Sequence, residues 1–312
     1  MLQQKIDYET MTLQAMNTTI EMTVEVTNKR ADWKQKMAQL VSYIQHEWSR
    51  FQETNSLSRF NQTPRQQPIT VTPLLFDILT SAQHYADVTD YYFNPFLLTA
   101  LKQAGYHKSF PFKEADNTGS SPKQLEPTAA RLSFNKKTLS IIKHTDHHVD
   151  LGGIAKGWLA EYAKNWLQQE AGCRSGMINI GGDLTVWSEK NEPWAIRVAH
   201  PFHEAESIGI IKIKHGALAT SNTIYRSWTK EGKEYHHILN GRTGSCANSN
   251  IVQATVTCAS AVEAEVMAKV LCILGEEDGI KWINERFPST TFLLVRSDGT
   301  ILSNFKDLKG EH

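Results

Sequence analysis

Strand-like and helix-like runs follow one another along this chain without strict alternation, and that pattern constrains the fold more than any other feature. β-prone stretches run over Thr18 to Thr27, Leu139 to Lys143, Gly176 to Ile180, Trp194 to Val198, Gly209 to Ile213 and Ile251 to Thr257. Apolar residues at helical spacing mark Ala31 to Phe51 (Trp33, Met37, Leu40, Val41, Ile44, Trp48), Pro73 to Thr89, Ile154 to Gln169, Ser260 to Leu274 and Asp278 to Phe287. Gly275 closes one of these helices, and the Asp298-Gly299 pair within TTFLLVRSDGTILSNF predicts a hairpin. Two helices follow the first strand, and later strands come in runs, so an α+β arrangement is expected.

At 312 residues the chain could hold two average domains or one large one. No linker and no internal repeat divides it, so a single unit over residues 1–312 is expected. A polar stretch from His107 to Pro127, with NTGSSPKQ at its centre, reads as a surface excursion. The 33 basic and 33 acidic side chains cancel, so no broad field points to nucleic acid or an anionic membrane. No apolar run approaches the roughly 20 residues of a membrane helix. MLQQKIDYETMTLQAMNTT lacks the basic start and apolar block of a leader, so the reading is cytoplasmic. Cys173, Cys246, Cys258 and Cys272 lie far apart and read as free structural thiols, with Cys246 after its Gly-Ser turn the one position where reactivity is worth checking.

Three stretches could carry chemistry. VDLGGIAKGWLAEYA (Val149 to Ala163) looks like a nucleotide loop but is neither a P-loop nor a dinucleotide fingerprint, because Lys156 precedes Gly157 and G-x-G-x-x-G is absent. What remains is physical: glycines admit a ligand close to the backbone, and a helix N-terminus offers free N–H groups to an anion. In GMINIGGDLTVW, Gly181 and Gly182 end a strand before Asp183, and the stretch reads either as a second ligand-facing turn or as an ordinary one capped by Asp183. ALATSNTIYRSWTKEGKEYHHILNGRTGSC gathers Thr220, Ser221, Arg226, His236, His237, Arg242 and Thr243, groups suited to phosphate. Strand alternation allows at most one of His236 and His237 to face a ligand.

Together these stretches resemble the ApbE family, the FAD:protein FMN transferases. VDLGGIAKGWLAEYA resembles its D-L-[GS]-[GA]-I-A-K-G-Y-A-x-D block, and NIGGD, ATSN and HHILNGRTG resemble its N-x-G-G-D, T-S-G and H-I-I-D-P-x-T-G blocks in order. NSLSRFN and TDYYFNP resemble two earlier blocks, so the likeness runs from about Met16 to Asn304. The resemblance implies one α+β unit related to the tunnelling fold, with mostly antiparallel sheets and flanking helices. It implies that FAD is bound by Met16, Asn55, Ser56, Gly152, Gly153, Lys156, Gly181, Gly182, Thr220, Ser221 and His237. It further implies that the pyrophosphate is cleaved and FMN is attached through a phosphoester to a threonine of a target protein, with release of AMP. Asp183 and His237 are the candidates for orienting or proton-transfer roles. Magnesium on the pyrophosphate would take the Ala155 carbonyl and two residues of the C-terminal helix.

That helix departs from the family pattern. Its A-D-x-x-[AT]-T block is AEVMAK, with Glu265 at the Asp position and Lys269 at the Thr position. Glu lengthens the arm by about 1.5 Å. An ammonium has donors only and cannot ligate a hard cation. Lys269 could therefore take the metal's place, giving FAD binding without metal and slow or absent transfer, because a point charge lacks Lewis acidity. Alternatively the helix is turned and other oxygens hold the metal, or the two side chains form an exposed pair of little weight. Asn94 and Asn240 also replace carboxylates, and Asn222 replaces a glycine. Two other activities stay open: an FAD carrier or sensor without transfer, and a flavin pyrophosphatase yielding FMN and AMP.

Overall fold

The computed structural model describes residues 7–25, 32–112, 131–189, 192–203 and 205–306. The expected excursion from His107 to Pro127 lies outside the described residues beyond residue 112, as do the last two residues of the strand expected at Thr18 to Thr27.

Met16 and Asn17 both take positive φ, 52° and 57°, and join β1 (Tyr8–Ala15) to β2 (Thr18–Glu25) with Ala15 opposite Thr18. Positive φ at both central residues is the type I′ turn, whose twist matches paired strands. The expected first strand is thus the second arm of a hairpin. Helices α1 (Trp33–Glu47), α2 (Ser56–Gln62) and α3 (Pro73–Val88) follow, with β3 (Pro68–Thr70) between the last two. Then come α4 (Leu98–Gln103), β4 (Leu132–Asn135), β5 (Ser140–Lys143), α5 (Ala155–Gln169), β6 (Ser175–Ile180) and β7 (Asp183–Ser188). The hairpin β8 (Trp194–Ala199) and β9 (Ser207–Ile213) precedes β10 (Gly216–Asn222), a second hairpin of β11 (Ser227–Lys230) and β12 (Lys233–His236), and β13 (Ile251–Cys258). The chain ends in α6 (Ala261–Leu274), α7 (Glu276–Arg286), β14 (Thr291–Arg296) and β15 (Ile301–Ser303).

One eight-stranded sheet organises the molecule, in the order β1-β2-β6-β7-β10-β13-β14-β15, and each neighbouring pair is antiparallel. This is the mixed α+β domain the pattern predicts. Both faces of the sheet are covered at its centre. On one, α5 and α6 pack Leu159, Ala160, Val266 and Val270 into the main core with Trp187, Ala217 and Val256. On the other, the β8–β9 hairpin packs Ile196, Val198 and Ile211 against Leu184, Val186 and Leu218. All six residues of β7 are consequently buried, so it shows no alternation. None of the described helices is long and apolar enough to cross a membrane.

Helices α5 and α6 cap each other. Ile154, before α5, provides no side-chain cap, and the Gly157 N–H in the first turn instead donates to Glu265 Oε2 of α6 at 2.8 Å. In return Glu161 Oε2 of α5 accepts from Ser260 Oγ at 2.7 Å and from the Ala261 N–H at 3.1 Å, where α6 begins. A carboxylate at each N-terminus satisfies orphan donors and complements the helix dipole. Gly157 permits the close approach: a Cβ there would stand 2.5 Å from the Ala261 carbonyl oxygen. The pairing fixes Glu265 against the first turn of α5, which follows the Gly-Gly turn. A separate apolar cluster, built on α4 and the β11–β12 hairpin from Leu97, Leu101, Tyr106, Trp228 and Leu239, faces that turn across a cleft.

Candidate functional site: a two-lobed cleft over buried charges

The cleft has two lobes that share one wall. The narrow lobe, about 90 Å³, sets Phe93, Leu97, Leu101, Ile238 and Leu239 against Gly153, His237 and Lys269. The wider lobe, about 390 Å³, runs from Met16, Gln45 and Trp48 to Ala155 and Lys156. Arg50, Tyr106, Asp150, Gly152 and Arg226 line both. An elongated ligand with an apolar ring at one end and negative charge in its middle fits such a cleft.

At the junction lie four charged side chains. Glu265, with no side-chain exposure, accepts from Lys269 Nζ at 3.0 Å and sits 3.9 Å from Lys156 Nζ, while its other oxygen takes the Gly157 N–H. Lys156 is also hydrogen-bonded to Asp183, which is buried at the start of β7. Burial alone would release the Lys156 proton, yet Asp183 and Glu265 hold its pKa above the usual lysine value. Burial would likewise raise Glu265, but Lys269 and Lys156 hold it below the usual carboxylate range. Asp183 is pushed up by burial against the pull of Lys156, with Glu265 adding to the rise.

These contacts decide between the arrangements open for Glu265 and Lys269. The pair is not solvent-exposed, since the side chains are 0% and 14% accessible, and the helix is not turned away, since Lys269 lines the narrow lobe. The magnesium implied by the resemblance does not fit. Both Glu265 oxygens already take protein donors, and Asp183 is engaged by Lys156. A divalent ion about 4 Å from one ammonium would meet roughly 8 kcal/mol of repulsion at an effective dielectric of 20.

Arg50 was not singled out by the sequence. Its guanidinium donates to Asp150 Oδ1 at 2.9 Å and lies 4.2 Å from the Tyr106 ring centroid and 4.9 Å from that of Phe51, while its Nε has no partner among the described residues. The second Asp150 oxygen accepts from the Gly152 N–H at 3.1 Å, so Arg50 and the Gly-Gly turn are held together. Asp150 lies inside the VDLGG stretch and was the available signal. A Cβ at Gly153 would stand 3.3 Å from Phe93 and 3.4 Å from Lys269 Cε, so a side chain there would press on both.

The remaining expected residues fall into two groups. Met16, Gly152, Gly153, Ala155, Lys156, His237 and Lys269 line the cleft. Asn55 and Ser56 are buried behind it: Asn55 caps α2 by accepting from the Ser58 N–H and donates to the His46 and Ser49 carbonyls, and Ser56 bonds Glu47. Thr220 Oγ1 pairs with Thr255 Oγ1 at 2.9 Å on the adjacent strand, and Ser221 is buried beside it on β10. Gly181 and Gly182 form the β6–β7 turn with φ of 60° and 94°, and the Gly182 N–H donates to Asn179. Among the substituted positions, Asn94 ties Gly241 to the narrow lobe by donating to its carbonyl at 2.9 Å, and Asn240 accepts from the Arg242 N–H. Asn222 is not among the left-handed positions; its side chain accepts from the Ile224 and Tyr225 N–H groups.

Of the two adjacent histidines, His236 bonds the Ala247 carbonyl and only His237 reaches the cleft, where its Nδ1 has no partner among the described residues. Burial, reinforced by Arg226 and Lys269, holds His237 well below the usual imidazole range; burial also lowers His236 and His148. Their unfolded value is about 6.5, so below that pH the unfolded chain binds more protons than the folded one. Stability is therefore fully present above pH about 6.5 and is lost as pH falls, by up to roughly 1.4 kcal/mol per pH unit for the fully buried His237, with His236 and His148 acting in the same direction. Thermal unfolding between pH 7.5 and 5.5 should show a Tm that falls with acid, and His237→Gln should flatten part of that slope; a Tm independent of pH there would contradict it.

The cysteines are free, and burial pushes the Cys173, Cys258 and Cys272 thiols up to about 11, 12 and 12. Cys246 is also raised by burial and donates to the His236 carbonyl, so no thiol is activated at the turn.

The ApbE family model matches residues 16–294. The chain is 26% identical over 261 residues to an FAD:protein FMN transferase of Klebsiella pneumoniae, covering 80% of this chain and 78% of that relative. It is 26% identical over 268 residues to one of Vibrio cholerae, covering 83% and 78%. A crystal structure of the ApbE protein of Thermotoga maritima superposes with a TM-score of 0.80 at 22% identity, covering 95% of this chain and 97% of that one. The Vibrio cholerae flavin transferase ApbE superposes with a TM-score of 0.76 at 21% identity, covering 96% of each chain. With a family match over most of its length and the same fold in solved members, this chain belongs to the ApbE family.

Proposed function

We propose that the chain is an FAD:protein FMN transferase, a single domain over its whole length that passes FMN from FAD to a threonine hydroxyl of a target protein. The observation that carries this reading is the cleft itself: two lobes meet at Gly152 and Arg226, over a cluster holding two ammonium groups. A dinucleotide would lie with one half in each lobe and its pyrophosphate at the junction, against the Gly152-Gly153 turn.

In the reaction, the target's threonine oxygen forms a bond to the phosphorus of the FMN half. The bond from that phosphorus to the bridging oxygen breaks, and AMP leaves with the electron pair. Lys156, Lys269 and Arg226 are positioned to meet charge on the phosphoryl oxygens, and because Asp183 and Glu265 hold the two ammonium groups, those need little reorganisation. His237, neutral and with Nδ1 unpartnered, is the group suited to orient the threonine or take its proton. Asp183 acts through Lys156 as a positioning residue. Met16 would contact the ligand in the wide lobe. Asn55, Ser56, Thr220, Ser221, Gly181 and Gly182 lie outside the lining of both lobes and would act by holding the elements that carry it.

One observation favours a second reading, an FAD carrier without transfer: Lys269 occupies the carboxylate that a metal would need. Incubation with FAD and a threonine-bearing acceptor domain, followed by chromatography of the nucleotides, separates the readings. Transfer predicts AMP only when acceptor is present, with no matching free FMN. Free FMN and AMP without acceptor would mean that water is the acceptor, and intact FAD throughout would mean a carrier.

A further inference from the structure

We infer that Lys269, with Lys156 beside it, stands in place of a divalent cation, so that this chain holds the pyrophosphate of FAD without metal. The inference rests on FAD being the ligand, as proposed above.

Glu265 has no side-chain exposure. A carboxylate with no exposure needs a compensating cation, and in this chain it has two, one reaching each lobe: Lys269 Nζ at 3.0 Å and Lys156 Nζ at 3.9 Å. Glu265 and Lys269 are one helical turn apart on the same face of α6, with Glu nearer the N-terminus, the favoured orientation for such a pair. Gly153 leaves room for the Lys269 stem to lie beneath the turn. With Arg226 and the Arg50–Asp150 pair at the shared wall, four cationic groups face three carboxylates, Glu265, Asp183 and Asp150, so the junction carries an excess of positive charge before any ligand arrives. That excess is what an anion seat requires. Lys269 stands where the family pattern has a threonine oxygen, and its ammonium cannot ligate a metal and repels one.

The test is a titration of the full chain with FAD, read by flavin fluorescence in EDTA and in millimolar magnesium. The inference predicts the same affinity in both buffers. Lys269→Thr should bind FAD about ten- to a hundredfold more weakly in EDTA, the loss of one charge-assisted contact, and recover with magnesium once Glu265 is freed. Lys269→Arg, which keeps the charge and the pair, should bind in EDTA like the parent. Should Lys269→Thr fail to fold, the parent and the arginine variant still decide. Parent protein that loses FAD in EDTA and regains it with magnesium overturns the inference, as does a Lys269→Thr variant that binds in EDTA unchanged. Failure to bind FAD in either buffer overturns the proposed function instead.

Discussion

Glu265→Ala should lower the free energy of unfolding by about 3–5 kcal/mol, the usual cost of removing one partner from a buried ion pair. Three separate losses add at this position. Lys269 and Lys156 lose the carboxylate that lies within 4 Å of both, and Lys156 is left with Asp183 alone. The Gly157 N–H loses its acceptor in the first turn of a helix that has no side-chain cap of its own. A cavity opens in the tight face between α5 and α6. Lys269, 14% exposed, can recover part of the loss by reaching solvent, which favours the lower end of the range. Urea unfolding followed by circular dichroism gives the number. A variant within about 0.5 kcal/mol of the parent, as for an ordinary surface change, would show that the four charges are effectively solvated.

For Gly157→Ala two principles predict opposite signs. Helix propensity favours alanine over glycine by about 1 kcal/mol in a helix interior, and Gly157 takes no left-handed conformation that would oppose it. Packing opposes it, because the new Cβ would stand 2.5 Å from the Ala261 carbonyl oxygen, 2.8 Å from its carbon and 3.0 Å from Val262 Cα. All three are backbone atoms at the start of α6, and none can rotate away. Moving α6 back would also stretch the Gly157–Glu265 and Glu161–Ala261 bonds that join the helices. Packing should win, giving a net destabilisation of about 1–3 kcal/mol together with weaker FAD binding. Thermal unfolding reads the sign directly, and a raised Tm would mean the helices can separate without cost.

The outer elements of the fold were legible because each buries one face. Trp33, Met37, Val41 and Ile44 on α1 are buried at the predicted helical spacing, and the Asp298-Gly299 turn does join β14 to β15. The centre was less legible. β7 is buried on both faces and β10 nearly so, and a strand without a solvent side shows no period-two pattern. α2 and α4, of 7 and 6 residues, are too short to display helical periodicity. β1 was missed because its register with β2 depends on two consecutive left-handed residues, Met16 and Asn17, which carry no glycine to announce them.

At the site, the Gly-Gly turn and Lys156 were readable from local sequence, since a turn at a helix start acts through its own backbone. The cluster was not readable locally, because Lys156, Asp183 and Glu265 come from three elements far apart in the chain. Nor was the division of labour among the polar residues. Asn55 and Thr220 have their polar groups engaged within the protein, whereas Arg50 and Arg226 line both lobes, and only the packing of the sheet and helices separates those cases.

The most direct test of the account is the intact mass of a threonine-bearing acceptor domain after incubation with this chain and FAD in EDTA. The account predicts a gain of one FMN per acceptor, slow because ammonium groups compensate charge without the Lewis acidity of a metal. An acceptor of unchanged mass, with FAD bound and intact, would contradict transfer; a gain that appears only when magnesium is added would contradict the role given to Lys156 and Lys269.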